Sequence, residues 1–339
     1  MTPLLIPIFI PHVACPHRCV FCNQHTITGQ NATPLPDMHD VRKTIQEFLS
    51  FSTPRAERQL AFYGGTFLGL PLSELTRLLD MAQALVEEFC LDGIRFSTRP
   101  DTVTAKTISL LQNYPISMVE LGAQSMADDV LLASGRGHTA QDTIDAAGLL
   151  RKDSFPTTIQ MMLGLPGDSA EKAVASGEKI VSLSPAAVRI YPTVVFKDTP
   201  LAERYHAKKY RPLSVDESAD ISARLLKLFL EHNISVVRMG LPVSDNVNPL
   251  EIVAGPWHPA FGELVWTAFF KNSLLEEVAK YSSLPSRVTI SVHPSYLSRV
   301  RGHQNKNIQF LSHKFPQTQF SFRPNDTLSS DSPEIHIEL

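Results

Sequence analysis

Three of the four cysteines of this chain lie within eight positions of one another, with the spacing Cys15-x3-Cys19-x2-Cys22. Thiolates gathered in one loop are ligands for iron–sulfur clusters and for zinc, and a C-x-x-C pair is also typical of dithiol redox sites. The loop therefore predicts a metal site or a redox site. The fourth cysteine, Cys90, ends an apolar helical pattern, and we expect it to be buried and inert.

The three possible sites make different use of the thiols. A cubane cluster normally takes four thiolates, so three would leave one iron open to a ligand that can receive an electron directly. A zinc site would add a nearby histidine, which would be His12, His17 or His25, although zinc sites more often use two separated pairs. A dithiol site would leave Cys15 without a role. The cluster is the interpretation that uses all three thiols.

The composition sets limits on the class of protein. The chain has 339 residues, of which 43% are hydrophobic and 19% charged, so it can build one large domain or two ordinary ones. A net charge of −3 means that nucleic-acid binding would need a local basic patch. Four cysteines do not make a disulfide framework, and no apolar run is typical of a leader or a membrane span. We expect a cytoplasmic protein with no membrane segment.

Apolar runs and helical patterns alternate over the first two-thirds of the chain. The runs are typical of buried strands, and they are Leu4–Ile10, Gln59–Tyr63, Gly93–Ser97, Ser117–Leu121, Thr158–Leu163 and Ala187–Tyr191. Six strand–helix units predict an α/β fold with a parallel sheet. Periodicity alone leaves open a partial barrel and a doubly wound sheet. Polar or glycine-rich stretches follow each strand, at the edge where parallel α/β folds form their sites.

The cysteine loop, with an aromatic residue before its last cysteine, is similar to the signature loop of the radical S-adenosylmethionine superfamily. The stretches YGGTF, STRPD, ELGAQS, GRGHT, MLGLPGD and VRIYPT extend the likeness over about residues 5–232. Together they resemble the branch that contains the catalytic subunit of Elongator, with oxygen-independent coproporphyrinogen oxidases as more distant relatives. The resemblance implies a partial (β/α)6 TIM-like barrel with a small C-terminal α/β element. We expect a core domain at 1–232 and an accessory or substrate element at 233–339.

The resemblance also implies a chemistry. Cys15, Cys19 and Cys22 would hold a [4Fe–4S] cluster whose open iron chelates S-adenosylmethionine. Electron transfer would then cleave S-adenosylmethionine to methionine and a 5′-deoxyadenosyl radical, which abstracts a hydrogen atom from a substrate. An electron donor of the flavodoxin or ferredoxin type is implied as a partner. By position, the residues expected to bind S-adenosylmethionine are Phe9, Phe21, Gly64, Gly65, Thr66, Ser97, Gln124, Arg136 and Gln160.

Some of these positions depart from the family pattern. Thr66 stands where many members have glutamate, and Ser97 and Gln160 stand where coproporphyrinogen oxidases carry carboxylates. The glycines before Thr66 would let the backbone approach the ligand, because no Cβ intervenes. Arg136 is the expected partner of the methionyl carboxylate, since a guanidinium fork suits a carboxylate.

The last third of the chain carries two further signals. The stretch GPWHPAFGELV resembles uncharacterised bacterial Elongator-like proteins, and in it His258 and Glu263 could handle substrate at the barrel mouth. The alternative is an ordinary helix start at Pro259. We find no glycine-rich acetyl-coenzyme A loop, so we expect the acetyl-transfer half of the Elongator chemistry to be missing.

A basic stretch runs from residue 287 to residue 323 without an acidic residue. Its basic members are Arg287, Arg299, Arg301, Lys306, Lys314 and Arg323. The stretch could meet RNA phosphates, or it could be a solvated helix face. Three functions stay open: a radical enzyme acting on RNA, a radical enzyme acting on a tetrapyrrole or other small anion, and a non-catalytic protein that binds a cluster or zinc.

Overall fold

A computed structural model of the chain describes residues 3–11, 14–15, 19–22, 35–51, 57–241, 249–330 and 332–338. In this described part, seven parallel strands form one curled sheet. They are β1 (Leu4–Ile10), β2 (Arg58–Gly64), β3 (Ile94–Thr98), β4 (Ile116–Gln124), β5 (Thr157–Leu163), β6 (Ala187–Pro192) and β8 (Ser235–Met239). All six predicted strands are present, and β8 adds a seventh.

The order of the strands decides between the two architectures. Neighbours in the sheet follow the chain, β1-β2-β3-β4-β5-β6-β8, with every pairing parallel. A doubly wound sheet reverses its order at a switch point, whereas a barrel does not. The predicted partial barrel is therefore confirmed.

Helices join the strands, and most of them cover the outer face of the sheet. They are α1 (Met38–Phe51), α2 (Leu72–Glu88), α3 (Ala105–Leu111), α4 (Asp128–Ala133), α5 (Ala140–Lys152), α6 (Ala170–Ser182), α7 (Pro200–His206) and α8 (Val215–Glu231). Several begin at a local sequence signal. In α5, the Thr139 side chain accepts from the Asp142 N–H while the Asp142 carboxylate accepts from the Thr139 N–H. This reciprocal capping satisfies two backbone donors that the helix leaves unpaired.

The two faces of the sheet have different characters. On β1, Ile6 and Ile8 point to the helices and are buried, whereas Pro7 and Phe9 point to the opposite face, which we call the inner face. The outer face forms one apolar core. Its most fully buried members include Ile6, Ile45, Leu60, Phe62, Leu78 and Phe96. The inner face carries the polar side chains described below.

The rest of the chain adds a second, smaller core. Its elements are β7 (Val195–Phe196), β9 (Ile252–Ala254), α9 (Phe261–Val278), β10 (Arg287–Val292), α10 (Leu297–Arg301), α11 (Lys306–Lys314), β11 (Gln319–Pro324) and β12 (His336–Glu338). Strands β11-β10-β12 form a sheet, and β7 pairs with β9. Because β8 lies in the main sheet, that sheet continues past residue 232, and the predicted division into two domains stays a prediction. None of the described helices has the length and apolar character needed to span a membrane.

Candidate functional site

The cysteine loop lies at the carboxyl edge of the sheet, directly after β1. Within its described residues, the Val20 N–H donates to the Ser134 carbonyl at 3.0 Å, and the Leu201 N–H donates to the Val20 carbonyl at 2.9 Å. The Val20 side chain packs with Leu201 and Ala202. The loop is therefore held from both sides, by the chain that follows α4 and by the first turn of α7.

The thiols of Cys15 and Cys19 contact different partners. The Cys15 Sγ shares a hydrogen bond with the Thr66 Oγ1 at 3.2 Å, and the Arg136 Nη1 donates to the Cys19 Sγ at 3.2 Å. Burial, followed by the neighbouring Cys19 and Cys15 thiols, raises the pKa of Cys22 to about 12. The thiols thus lie close enough to oppose one another's ionisation.

Three thiols in one loop are the kind of ligand that iron–sulfur clusters and zinc use. A coordinating metal deprotonates a thiol outright, which offsets the burial that keeps Cys22 protonated. The Arg136 guanidinium adds a positive charge beside Cys19. In the described part of the chain, no three His, Cys, Asp or Glu side chains are arranged around a single metal position. The candidate zinc ligands His12, His17 and His25 lie outside the described residues.

The two glycines at the end of β2 allow its backbone to pack closely against the backbone at the end of β1. The Gly65 N–H donates to the Ile10 carbonyl at 2.8 Å, and a Cβ added to Gly65 would lie 2.5 Å from the Pro11 carbonyl oxygen. Gly64 has a φ of 110°, and a Cβ there would lie 2.5 Å from the Ile10 carbonyl oxygen. The space opened by the missing Cβ atoms is therefore filled by the end of β1. Contact of these glycines with a cofactor stays a prediction.

The end of β4 gathers buried polar groups. The Arg136 Nη2 donates to the Gly122 carbonyl at 2.6 Å, and Gln124 adopts a left-handed φ of 66° where the β4–β5 register shifts. The Gln124 Oε1, the Arg136 Nε and the His138 Nδ1 are buried and have no hydrogen-bond partner among the residues that the structure describes. Buried polar atoms of this kind are normally satisfied by a ligand or by water. The end of β4 is therefore equipped to bind a polar group.

His138 is a member of this group that the sequence did not single out as a site residue. Its Nε2 lies 3.2 Å from the Ala123 carbonyl oxygen. Burial, followed by the nearby Arg136 and Arg99 charges, lowers the pKa of His138 to about 4. The imidazole is therefore neutral at physiological pH. Its position two residues after Arg136, in the GRGHT stretch, is the signal that could have identified it.

The inner face carries a buried ionic cluster that the sequence interpretation missed. The Glu120 Oε1 accepts from the Arg189 Nη2 at 2.7 Å, from the Tyr63 hydroxyl at 2.8 Å and from the Arg95 Nη1 at 3.3 Å. Glu120 is only 1% exposed. One carboxylate thus joins four strands and is shared by two guanidinium groups. The missed signal was a charged residue inside each of three otherwise apolar strands.

The remaining predicted cofactor residues fall into two places. Ser97 and Gln160 are half-buried, and the strand register places them on the inner face next to Glu120 and Arg189. The ring of Phe9 lies against Gly64. Phe21, in contrast, packs in the apolar cluster of Val20, Leu201 and Tyr205. The structure thus brings the predicted residues to one edge of the sheet, with Phe21 on the α7 side of the loop.

The prediction that Cys90 is buried is wrong. Cys90 is exposed and has a φ of 50° at the carboxyl end of α2. A residue in the left-handed conformation that ends a helix turns its side chain to solvent. The Arg58 Nη2 donates to the Cys90 carbonyl at 2.9 Å, which places this thiol at the amino ends of the strands, opposite the cysteine loop.

In the C-terminal region, the predicted functional residues Arg299 and Glu263 contact other side chains of the protein. The Arg299 guanidinium lies 4.7 Å over the Trp266 ring, and its Nε is 3.7 Å from a Glu263 carboxylate oxygen. Arg299 is therefore partly engaged within the protein, and its contact with phosphates stays a prediction. The His258 and His303 rings meet edge to face at 5.8 Å.

Fold and site together define a partial-barrel enzyme with a three-cysteine loop at its mouth. Residues 9–179 match the family model of the Radical SAM superfamily, and residues 185–269 match that of the Radical_SAM C-terminal domain. The chain belongs to the radical SAM superfamily of enzymes.

Its relatives include the branch expected from the sequence. An uncharacterised protein of Methanocaldococcus jannaschii is 28% identical over 264 residues, which cover 75% of this chain and 79% of that protein. A tRNA uridine(34) acetyltransferase of Methanocaldococcus infernus is 24% identical over 312 residues, covering 80% of this chain and 57% of the relative. The chain thus spans little more than half of that acetyltransferase.

Solved structures support the fold. Elp3 of Methanocaldococcus infernus, with residues 1–46 deleted, superposes with a TM-score of 0.63 at 21% identity, covering 80% of this chain and 63% of that one. Coproporphyrinogen III oxidase of Escherichia coli, described as a radical SAM enzyme, gives a TM-score of 0.50 at 19% identity, with coverages of 68% and 53%. The likeness to both families of relatives is confirmed.

Proposed function

We propose that this chain holds a [4Fe–4S] cluster on Cys15, Cys19 and Cys22 and cleaves S-adenosylmethionine reductively to a 5′-deoxyadenosyl radical. The observation that carries the proposal is the contact of Arg136, whose guanidinium joins the Cys19 thiol to the end of β4. That contact puts the cysteine loop beside the unpartnered atoms of Gln124 and Arg136.

Each of the chain's own residues has a definite part in this proposal. When bound, the cluster supplies the electron that cleaves S-adenosylmethionine. Arg136 would offset the charge of the Cys19 thiolate, and its Nε would donate to the methionyl carboxylate. The Gln124 amide oxygen would accept a hydrogen bond from the cofactor. The Thr66 hydroxyl would orient the Cys15 sulfur. Burial of these groups excludes water from the radical.

The test is anaerobic and measures 5′-deoxyadenosine by chromatography. The reconstituted chain is incubated with dithionite and S-adenosylmethionine, beside the variants Cys19→Ala and Cys90→Ala. We expect product from the wild type and from Cys90→Ala, and none from Cys19→Ala. Bound zinc in place of iron, or a full cluster without cleavage, would instead support the non-catalytic binding protein.

For the substrate we propose RNA. The support comes from relatives that are tRNA uridine(34) acetyltransferases, and from exposed basic residues of the C-terminal region. Arg287 and Arg323 are exposed on β10 and β11, whereas Arg299 is engaged by Glu263 and Trp266. Removing Arg287 and Arg323 together should reduce the RNA that copurifies with the chain. Unchanged RNA retention in Arg287→Ala/Arg323→Ala would contradict this assignment of the RNA surface.

A small anionic substrate is the second candidate, and one observation favours it. Arg189 on β6 and Arg238 on β8 are register partners, so both lie on the inner face. Arg238 is exposed. Among the described residues, Glu120 is the one carboxylate that contacts Arg189, and Arg95 shares it. This side of the barrel therefore carries excess positive charge. A small carboxylate or phosphate ester retained by the wild type and lost in Arg238→Ala would favour this candidate over RNA.

A further inference from the structure

A basic segment lies beside the cysteine loop and has no role in the proposed binding of cluster, cofactor or substrate. Residues 204–211, with the sequence RYHAKKYR, contain four Lys or Arg residues and no acidic residue. We call them the basic segment. They begin within α7, whose Leu201 N–H donates to the Val20 carbonyl of the loop at 2.9 Å. In a chain with a net charge of −3, this charge at the edge of the loop is a local exception.

The backbone of the basic segment is fixed in place. The Arg204 Nη1 donates to the Ala133 carbonyl at 2.9 Å, and the Tyr210 hydroxyl donates to the Gly164 carbonyl at 2.6 Å. Between these anchors, Lys208 and Lys209 are exposed, and neither ammonium group contacts a carboxylate among the described residues. A fixed backbone with unpaired lysines loses less conformational entropy when it binds a partner than a mobile loop would.

An exposed apolar side chain lies next to the basic segment. Leu132 is 83% exposed and directly precedes Ala133, the residue whose carbonyl Arg204 binds. Protein–protein interfaces typically combine an apolar centre with a polar or charged rim. Protein surfaces that bind single-stranded RNA, in contrast, offer free aromatic rings on which bases stack. The tyrosines of the basic segment, Tyr205 and Tyr210, instead pack in the apolar cluster of Val20 and Leu201. The combination of Leu132 with Lys208 and Lys209 therefore fits a protein partner whose surface is acidic.

We propose that Leu132, Lys208 and Lys209 form the docking surface of an acidic one-electron carrier protein of the flavodoxin or ferredoxin type. The proposal rests on the proposed function, because the carrier must deliver its electron to a cluster held by the adjacent loop. The reduced carrier loses one electron and the oxidised cluster gains it, with no bond made or broken. Opposite charges steer such a carrier to the loop and raise the association rate.

The first test measures binding rather than activity. The affinity of a purified acidic flavodoxin for the reconstituted full chain is measured at low and at moderate salt. The wild type is compared with Lys208→Glu/Lys209→Glu and with Arg151→Glu/Lys152→Glu, which makes the same type of charge change at the carboxyl end of α5. We expect the first variant to bind at least tenfold more weakly at low salt, with the control unchanged. Salt should weaken the wild-type complex, because it screens exposed charges.

The second test separates docking from catalysis. With dithionite, Lys208→Glu/Lys209→Glu should form 5′-deoxyadenosine at the wild-type rate, because dithionite needs no docking surface. With sub-saturating reduced flavodoxin, the same variant should be at least tenfold slower. Leu132→Gln should weaken flavodoxin binding as well, without any change of charge.

The two proposals fail in distinguishable ways. Wild-type flavodoxin affinity in Lys208→Glu/Lys209→Glu, equal loss in the Arg151→Glu/Lys152→Glu control, or no flavodoxin binding at all would overturn the docking surface. Loss of RNA binding in the lysine variant with unchanged flavodoxin binding would also overturn it. Failure of dithionite to drive cleavage would overturn the proposed function instead.

Discussion

The two faces of the main sheet are built from the same strands by opposite means. On the outer face, Phe62 and Phe96 are each at most 1% exposed and both stack on Phe67, with ring centroids 5.0 and 4.7 Å apart. On the inner face, the adjacent residues Tyr63 and Arg95 are polar, and both donate to Glu120. Because side chains alternate along a strand, one sequence position separates the folding core from the candidate site.

The two faces of the sheet are stabilised by different interactions. The outer face is stabilised by filled volume, so its stability should respond to the loss of atoms. The inner face is stabilised by pairing of charges in a dry environment, so its stability should respond to a change of charge at constant shape. Variants that separate volume from charge can therefore break or sharpen the comparison.

The largest effect is expected on the outer face. Phe62→Ala removes a fully buried ring from a stack of three and should lower the free energy of unfolding by about 4 kcal/mol. Urea unfolding measures the change. The matched control is Phe51→Ala, whose ring is 88% exposed and whose loss should cost less than about 0.5 kcal/mol. Similar losses in the two variants would show that the outer face is not the core.

The inner face should respond to charge. Glu120→Gln keeps the shape of the side chain but leaves Arg95 and Arg189 without their shared carboxylate, and it should cost about 3 kcal/mol. Adding Arg95→Met to this variant should restore part of the loss, because one unpaired buried charge is removed. A loss below about 1 kcal/mol in the single variant would mean that water or another group already neutralises the arginines.

The free energy of unfolding should depend on pH through His138, which lies at the end of β4. His138 has a pKa of about 4 in the folded protein, below its unfolded value of about 6.5. The unfolded chain therefore binds the extra proton first, and stability falls as the pH drops through this window, by about 2 kcal/mol between pH 7 and pH 5. Urea unfolding of His138→Gln at both pH values should show a smaller fall. An equal fall in both proteins would remove His138 as the cause.

The smallest effect is expected at the cysteine loop. Thr66→Val keeps the shape of the side chain but removes the hydroxyl that bonds to the Cys15 thiol, and it should cost about 1 kcal/mol. Thr66→Ser keeps the hydroxyl and is the control. Thermal unfolding compares the two variants, and a valine variant as stable as the wild type would contradict a stabilising role for the Cys15–Thr66 hydrogen bond.

The outer face could be predicted from the sequence because it obeys a local rule. Each strand is a short apolar run, and each helix repeats its apolar residues on one side, so β1 to β6 were found close to their observed bounds. The strand order could not be derived in this way, since pairing is a long-range property. The place of the extra strand β8 beside β6 depends on packing that no local pattern encodes.

The inner face could be predicted only in part. Motifs located the cysteine loop, Gln124 and Arg136, because their residues are close in sequence. Glu120 was missed because its partners lie on other strands, so its ion pairs form only after the sheet has formed. Arg299 shows the same limit, since its engagement by Trp266 depends on how α9 and α10 pack.

The central claim is that Cys15, Cys19 and Cys22, and not Cys90, hold a cluster at the carboxyl edge of the sheet. The most direct measurement is the iron and sulfide content of the reconstituted chain and of the four single Cys→Ala variants. We expect about four irons per chain in the wild type and in Cys90→Ala, and loss of most of the iron in the other three. Zinc in place of iron, or a full iron content in any variant of the loop, would contradict the account.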